Sequence, residues 1–374
     1  MTAVIIVLYF ITLALLGVFS YGFTDPHLIL SGNSLYSQLH APLFLLVNGD
    51  RQVTTVLFTS VLLVLFACYI WFLKNRTSVF PNWKKLFIVS IISALLLVLS
   101  YPALTYDLFN YIATAKVAFH YRENPYLVMP IEIPNEPNLA FTRAANKVAL
   151  YGPVWILLTA FPHYLGTGNV WLTFIAFKAM NALVYMGFLY FIYRLTRNLT
   201  NVLFFAFNPL VLIEVIMNGH NDIYMIFLAL AGLLLWQAGK LSGLLLFIAS
   251  WFIKGATLIL SPFLVIRTSW ERLLVVSYWL LAGVFFIAAP LREELYPWYA
   301  VWLVAPAALL PYKNHRFIWQ FTIILSLALE LRNLPYMWMG YYESPGPWLR
   351  TIVTVVPVGI YLGWYFLKRR TRKV

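Results

Sequence analysis

Apolar residues in this chain fall in long runs, near residues 4–22, 53–73, 86–103, 169–193, 200–217, 223–238, 242–266, 273–289, 296–311, 317–331 and 351–367. Each is close to the length that crosses about 30 Å of hydrocarbon as a helix, the shortest needing tilt or a broken geometry. No water is present in that layer to satisfy backbone N–H and C=O groups, so the runs are helices. The pattern predicts an all-α fold, a polytopic transmembrane helical bundle of about 10–12 hydrophobic helices, in a single integral-membrane domain over residues 1–374. The first run is too uniformly apolar for a signal-peptide core, with no basic stretch before it and no small-x-small cleavage pattern after it, and is expected as a retained span. No repeat relates the two halves.

Basic residues orient the bundle. Lys74, Arg76, Lys84 and Lys85 flank one short connection, Arg267 and Arg272 another, Lys313 and Arg316 a third, and Lys368, Arg369, Arg370, Arg372 and Lys373 form the tail. The positive-inside rule puts these in the cytoplasm, with both termini, and puts residues 104–150 outside. Between residues 152 and 266 the parity is ambiguous. If residues 154–165 cross the membrane, Arg194, Arg197 and Lys240 end up outside; if that helix is re-entrant or lies on the surface, the run 242–266 must turn back on itself near Lys254-Gly255. The second reading is preferred, because three misplaced cations on short connections weigh more than one broken helix.

The composition fits this picture: 62% of the 374 residues are hydrophobic and only 10% charged, more apolar surface than a soluble domain could bury. A net charge of +13 would suit a nucleic-acid partner, but most of the cations are already accounted for as topology signals. The single cysteine, Cys68, lies in an apolar run and excludes disulfides and thiolate metal sites.

Candidate chemistry gathers in a few polar interruptions. Asp107, Asn110 and Tyr111 are spaced i, i+3, i+4 directly after the third run and share one face of a helix there. The alternative is a cap, with Thr105 or Asp107 simply starting a juxtamembrane helix. Asn124-Pro125-Tyr126 is expected to end that helical stretch, a polar connection with Glu132, Glu136, Arg143 and Lys147 follows, and Tyr151-Gly152-Pro153-Val154-Trp155 re-enters the membrane. A loop of roughly 45 residues is longer than neighbouring helices need, and long loops usually build a site. A second cluster, Asn208-Pro209, Glu214 and Asn218-Gly219-His220-Asn221-Asp222, interrupts an apolar run. It reads either as an ordinary polar turn or as a functional one, and Glu214, about two turns inside the run, favours the latter. Lys254 either snorkels to an interface or neutralises a buried anion. Tyr296-Pro297-Trp298-Tyr299 reads as an interfacial aromatic belt or as a wall for a sugar ring. Walker, His-Glu-x-x-His and Gly-x-Ser-x-Gly patterns are absent, and the six histidines are scattered.

Taken in order, Asp107 after an early span, Asn124-Pro125-Tyr126, Tyr151-Gly152-Pro153-Val154-Trp155, Asn208-Pro209-Leu210 with Asn218 to Asp222, the lone Lys254 and Pro297-Trp298-Tyr299 resemble the GT-C superfamily of integral-membrane glycosyltransferases. The pattern is most similar to the polyprenol-phosphate-mannose-dependent mannosyltransferases that elongate bacterial lipoglycans, and more loosely to glycosylphosphatidylinositol mannosyltransferase I, over roughly residues 104–299. The resemblance implies a polyprenyl-phosphate sugar donor, a lipid-linked or cell-envelope glycan acceptor, an active site between the first large outer loop and the membrane, and Asp107 at the family's outer-loop catalytic position. Many relatives carry a paired acidic motif where Asp107 here is flanked by Tyr106 and Leu108, so a divalent metal is possible but not supported; neither a cofactor nor a metal site is expected.

On this reading Asp107 is the general base, and Lys254, with Arg292 or Arg350, meets the leaving phosphate. Asn110, Tyr111, Asn124, Tyr126, Tyr151, His220, Asn221, Asp222, Trp298 and Tyr299 complete the substrate site, with His220, Asn221 and Asp222 expected on sugar hydroxyls. The alternatives are a transporter or lipid flippase without covalent chemistry, which calls for related halves and a mid-membrane site, and a structural subunit of an envelope-assembly complex.

Overall fold

The computed structural model describes residues 2–24, 34–292 and 294–371; Glu293, Arg372 and Lys373, and the side chain of Arg292, lie outside the described residues. Those residues form helices and connections without a strand, an all-α polytopic bundle. Six helices are long and apolar enough to cross a membrane: Thr2–Phe23, Arg51–Lys74, Val170–Thr196, Trp270–Leu291, Arg316–Met339 and Gly346–Arg370. A seventh candidate span, Leu199–Ala206 with Pro209–Met217, bends by 52°. Pro209 has no N–H for the ladder, and the Asn208 side chain restarts the helix by accepting from Leu210 N at 3.1 Å. Of the shorter apolar helices, Asp222–Gln237 and Pro297–Leu309 fill the interior, while Leu241–Trp251 and Gly255–Leu264 lie at the periphery with Leu241, Leu245 and Leu258 exposed.

Loop contacts show which connections share an end. Trp83 stacks on Tyr193 at 5.2 Å, and Asn201 Nδ2 donates to Ala308 O and Leu310 O. Glu271 lies 2.7 Å from His315, Arg267 donates to Trp236 O, and Phe317 packs on Tyr365. One end of the bundle therefore gathers Lys74, Arg76, Lys84, Lys85, Arg194, Arg197, Lys240, Arg267, Arg272, Lys313, Arg316 and Lys368. The helix Trp83–Val98 leaves this cationic end and Val170–Thr196 returns to it. Everything between them, including the helix Pro153–Leu165, stays at the far end and does not cross.

The run 242–266 does turn back. Leu241–Trp251 climbs from the cationic end, the chain breaks at Phe252 to Lys254, and Gly255–Leu264 descends. Trp236 Nε1 then donates to Leu264 O, and Gln237 Nε2 to Phe263 O and Ile266 O, so the hairpin closes where it began. Glycine lets it pack on Asp222–Gln237: a Cβ at Gly243 would stand 2.2 Å from Trp236 N and 2.5 Å from Gly232 O. At the hairpin's tip, Phe252 O and Ile253 O accept from Val154 N and Gly152 N, docking the non-crossing helix.

The long loop folds on itself. Glu136 takes Lys116 Nζ at 2.7 Å and Tyr121 OH at 2.5 Å, Ile131 N donates to Ala145 O, and Tyr126 OH donates to Tyr151 O. One expectation shifts here. The helix from Asp107 stops at His120 rather than at Asn124, because Arg122 adopts a left-handed backbone (φ 59°), and Asn124 instead caps its own turn by accepting from Tyr126 N.

Replacing Gly243 with leucine is expected to lever the hairpin from its partner helix and cost about 1–3 kcal/mol, read as a lowered thermal midpoint of the detergent-purified protein. Gly283, where an added Cβ would meet nothing within 4 Å, is the control, and its alanine variant should unfold with the wild type.

Candidate active site

Four chain segments meet at the far end: the start of the helix Asp107–Ala115, the turn 218–221, the hairpin tip at Lys254, and the Tyr296-Pro297-Trp298-Tyr299 turn. Each is a place where a helix begins or breaks, so each brings polar groups that the apolar runs lack. The turn depends on Gly219, whose φ of +83° favours glycine and against which Leu108 packs closely. The preceding segment Leu212–Met217 is π-helical, a widening common at functional sites, and it turns Glu214 inward.

Asp107 does not cap its helix. Its N–H donates to Thr105 Oγ1 at 3.1 Å, while its carboxylate reaches across to the turn, with Oδ2 lying 3.5 Å from His220 Nδ1. On the other side of the ring, His220 Nε2 lies 3.2 Å from Glu214 Oε2, which also accepts from Asn218 Nδ2 at 3.0 Å. Both ring nitrogens lie within ion-pair range of carboxylate oxygens, off the line of an N–H hydrogen bond. A neutral tautomer would turn a lone pair toward one of them, so the imidazolium is the form that fits. Burial pulls the His220 pKa down, and the two carboxylates outweigh it, pushing it up to about 9. Burial likewise pushes the Asp107 carboxyl up, but His220, then Lys254 and Asn110, hold it below the ordinary carboxylate value.

A second charged group stands beside the first. Lys254 Nζ lies 2.7 Å from Asp222 Oδ2, and Asp222 Oδ1 accepts from Trp302 Nε1 at 2.7 Å. Lys254 also sits 5.4 Å from the centre of the Tyr299 ring, which stacks on Trp302 at 4.5 Å. Trp298 stacks on His220 (4.0 Å) and on Tyr296 (4.4 Å), so its faces are occupied by protein rings and its edge is what remains. On the other flank Tyr111 meets Tyr151 at 4.7 Å and Trp155 at 5.0 Å.

Exposure separates two layers. The Asp107 side chain is 24% exposed and Lys254 17%, while His220 and Asp222 are fully buried. Of the residues picked out by sequence, Asp107, Asn110, Tyr111, Tyr151, His220, Asn221, Asp222, Lys254, Trp298 and Tyr299 do converge. The polar atoms of His220 and Asp222 point at protein carboxylates and cations. Asn221 is buried with both side-chain polar atoms unpaired. Asn124 and Tyr126 lie outside this group, in the loop that braces it; Asn110 Oδ1 also holds that loop by accepting from Ala144 N.

Several residues of the site carried no clear signal in the sequence. Glu330, fully buried, packs against Glu214 from the helix Arg316–Met339. Trp302 sits one helical turn beyond Tyr299, a spacing that could have flagged it. Arg332, which the sequence did not single out, pairs with Glu294 Oε1 at 2.5 Å beside Tyr296, and Arg350, which it did as a phosphate cation, pairs with the same oxygen at 2.8 Å. Glu330 was detectable by the same rule that flagged Glu214, an acid inside an apolar run.

A family model described as alpha-(1->6)-mannopyranosyltransferase, N-terminal domain, matches residues 10–269. That match includes Asp107, Glu214, His220, Asp222 and Lys254 and ends before Trp298. No curated protein and no solved structure matches the chain.

The His220 ion pairs have a defined pH window. A histidine raised from 6.5 to about 9 contributes stabilisation fully present below pH 6.5 and lost as pH climbs through about 9. Because an imidazolium quenches a stacked indole, Trp298 emission is expected to rise as pH passes about 9. The wild-type minus His220→Gln fluorescence difference should carry that step, and a featureless difference would contradict the assignment.

Proposed function

The chain belongs to the alpha-(1->6)-mannopyranosyltransferase family, and from that footing we propose that it transfers mannose from a polyprenyl-phosphate mannose to a lipid-linked or cell-envelope glycan on the non-cytoplasmic face of the plasma membrane. It is a glycosyltransferase by family; the donor, the acceptor and the sidedness are what is proposed. The observation that carries the proposal is the Asp107 carboxylate, 3.5 Å from the buried His220 ring yet itself 24% exposed, at the same end of an apolar bundle as the partly exposed Lys254.

The reaction needs a base for the acceptor hydroxyl and positive charge for the departing phosphate. Asp107 takes the hydroxyl proton as the acceptor oxygen bonds to the anomeric carbon. The bond from that carbon to the phosphate oxygen breaks, its electron pair leaving with the polyprenyl phosphate, and the anomeric centre inverts. Lys254 and Arg350 are the cations for the phosphate, Lys254 oriented by Asp222 and Trp302, Arg350 by Glu294. Asn110, Tyr111 and Tyr151 stand on the acceptor side of Asp107; Tyr299 and the edge of Trp298 bound the sugar. The polyprenyl tail lies along the apolar outer surface of the bundle. The scheme asks for no metal: Lys254 offers the departing phosphate a directed N–H, and the positive charge comes from the arginines at Glu294.

Sidedness follows from the cationic end facing the cytoplasm. In a Cys68→Ser background, Leu127→Cys in the outer loop is expected to react with an impermeant maleimide on intact cells, and Lys313→Cys only after permeabilisation. The reverse pattern would put the site on the wrong side for this reaction.

Transfer itself is tested with purified protein, polyprenyl-phosphate mannose and a lipid acceptor extract, following labelled mannose. Asp107→Asn should lose about 10²- to 10⁴-fold in rate, and EDTA should leave the wild-type rate unchanged. Wild-type turnover in the Asn variant removes Asp107 as the base, and loss in EDTA removes the metal-free scheme.

A further inference from the structure

We propose that Glu214 is a positioning residue for transfer: acting through His220, it holds Asp107 in place as a carboxylate and sets the alkaline limit of activity. The role of Asp107 in this inference rests on the function proposed above, whereas the link from Glu214 to His220 does not.

Glu214 is 1% exposed, lies on the far side of the His220 ring from Asp107, and touches nothing that a substrate could reach. It is nevertheless an acid set among apolar helices, where an ionisable group is costly to bury and persists when it has a partner and a purpose. Its partner is the ring whose other nitrogen faces Asp107, so one imidazolium bridges two carboxylates, 3.2 Å on one side and 3.5 Å on the other. The π-helical turn directs Glu214 at the ring, and the Asn218 amide fixes its Oε2. Trp298, stacked on the imidazole at 4.0 Å, prevents the ring from tilting away.

Removing the charge of Glu214 leaves His220 with Asp107 alone as counter-ion, and the ring then gives up its proton at lower pH. Once neutral, it turns a lone pair toward one of its neighbours, and Asp107 loses the contact that fixes and ionises it. The charged and titratable groups that face this ring and its two carboxylates are Asp107 and Tyr111 from the loop helix, Tyr151 from the end of the loop, Lys254 and its counter-ion Asp222 from the hairpin and the helix before it, and Glu330 from the helix Arg316–Met339. Glu214→Gln leaves each of these side chains in place, keeps the shape of residue 214 and can still accept from the ring; Glu330, which faces Glu214 directly, is the one that loses a like-charged neighbour.

The experiment is a pair of pH profiles on the full-length protein in detergent. In Glu214→Gln, the Trp298 fluorescence step is expected to fall from about pH 9 by one pH unit or more, and the alkaline limb of kcat to move with it. At pH 6 kcat should stay within about threefold of wild type, whereas at about pH 10, above both titration steps, it should drop by roughly tenfold or more, one pH unit there being a factor of ten in the protonated fraction; KM for the lipid donor stays constant. A merely structural role would instead lower activity by the same factor at every pH and leave the step where it was, and that result overturns the proposal. Glu214→Asp, which keeps the charge and withdraws it by one methylene, should shift the step less than Gln, and an equal or larger shift also counts against it. If the wild type transfers no mannose, the function above fails, while the fluorescence step still decides whether Glu214 governs His220.

Discussion

The candidate site at the bundle's far end is organised by one requirement: a cation held among apolar helices and beside the reacting groups must be met by anions in the same small volume, whereas the buried Lys178 nearby is met by Ser100 O and Oγ. Desolvating either partner costs several kcal/mol, which the pair recovers only with close geometry and further hydrogen bonds. His220 meets that condition with Asp107 and Glu214, Lys254 with Asp222 and the Trp302 indole. Broken helices are what allow it. The irregular backbone at 218–221 is tolerable at this depth only because protein groups satisfy it. Asn181 on the helix Val170–Thr196 donates to Val215 O and His220 O and in turn accepts from Tyr224 OH, while Asn218 accepts from Leu104 N. A set of buried amides thus holds the turn that carries the histidine.

The long outer loop solves a related problem. A carboxylate at the first residue of a helix gains from the helix dipole, yet it acts at a fixed point only if the helix cannot slide. The helix Asp107–Ala115 is pinned below by Tyr111 against Tyr151 and Trp155, and above by Asn110 on Ala144 and Arg143 on Tyr106. Trp155 belongs to the helix that docks on the hairpin tip, so the segment carrying Asp107 and the tip carrying Lys254 are joined through one non-crossing helix. The two exposed charges are thereby held in register by elements that never leave the far end.

Much of this was legible in the sequence. The apolar runs give the bundle, and Arg194, Arg197 and Lys240, which the alternative would misplace, favoured the reading in which residues 154–165 stay on one side and 242–266 folds back. The convergence of Asp107, His220 and Lys254 was likewise visible as polar breaks in apolar runs. What spacing could not give was the direction in which a broken helix points its side chains. His220 and Asp222, expected on sugar hydroxyls, turn inward, because a π-helical segment and a glycine turn rotate them away from the course a regular helix would take. Trp298 looked like a platform for a sugar ring, and its stacking partners lie 78 and 2 residues away; only the first of these separations is hidden from local reading. Glu330, an acid inside an apolar run, obeyed the rule that flagged Glu214 and was passed over, whereas Arg332 escaped because it is a single charge at the end of a span, indistinguishable in sequence from a residue that marks a boundary.

The charge distribution also bears on how a phosphosugar would sit in the proposed reaction. Lys254 is neutralised by Asp222 at 2.7 Å, so the pair contributes a directed N–H rather than an excess of charge. Among the described residues Arg332 and Arg350 share the single carboxylate Glu294, which leaves one positive charge over, beside Tyr296 and at the mouth of the same site. A lipid phosphate gaining charge as it leaves is drawn to the place where charge is uncompensated, and guanidinium groups match its oxygens in a way an ammonium does not. The donor would then lie with its phosphate toward the arginines, its sugar along Trp298 and Tyr299, and its anomeric carbon toward Asp107, with Lys254 touching the sugar or the bridging oxygen. In that arrangement the acid that holds the base ionised and the cations that hold the leaving group stand at opposite ends of the aromatic stack, so the stack itself sets the span across which the substrate is drawn.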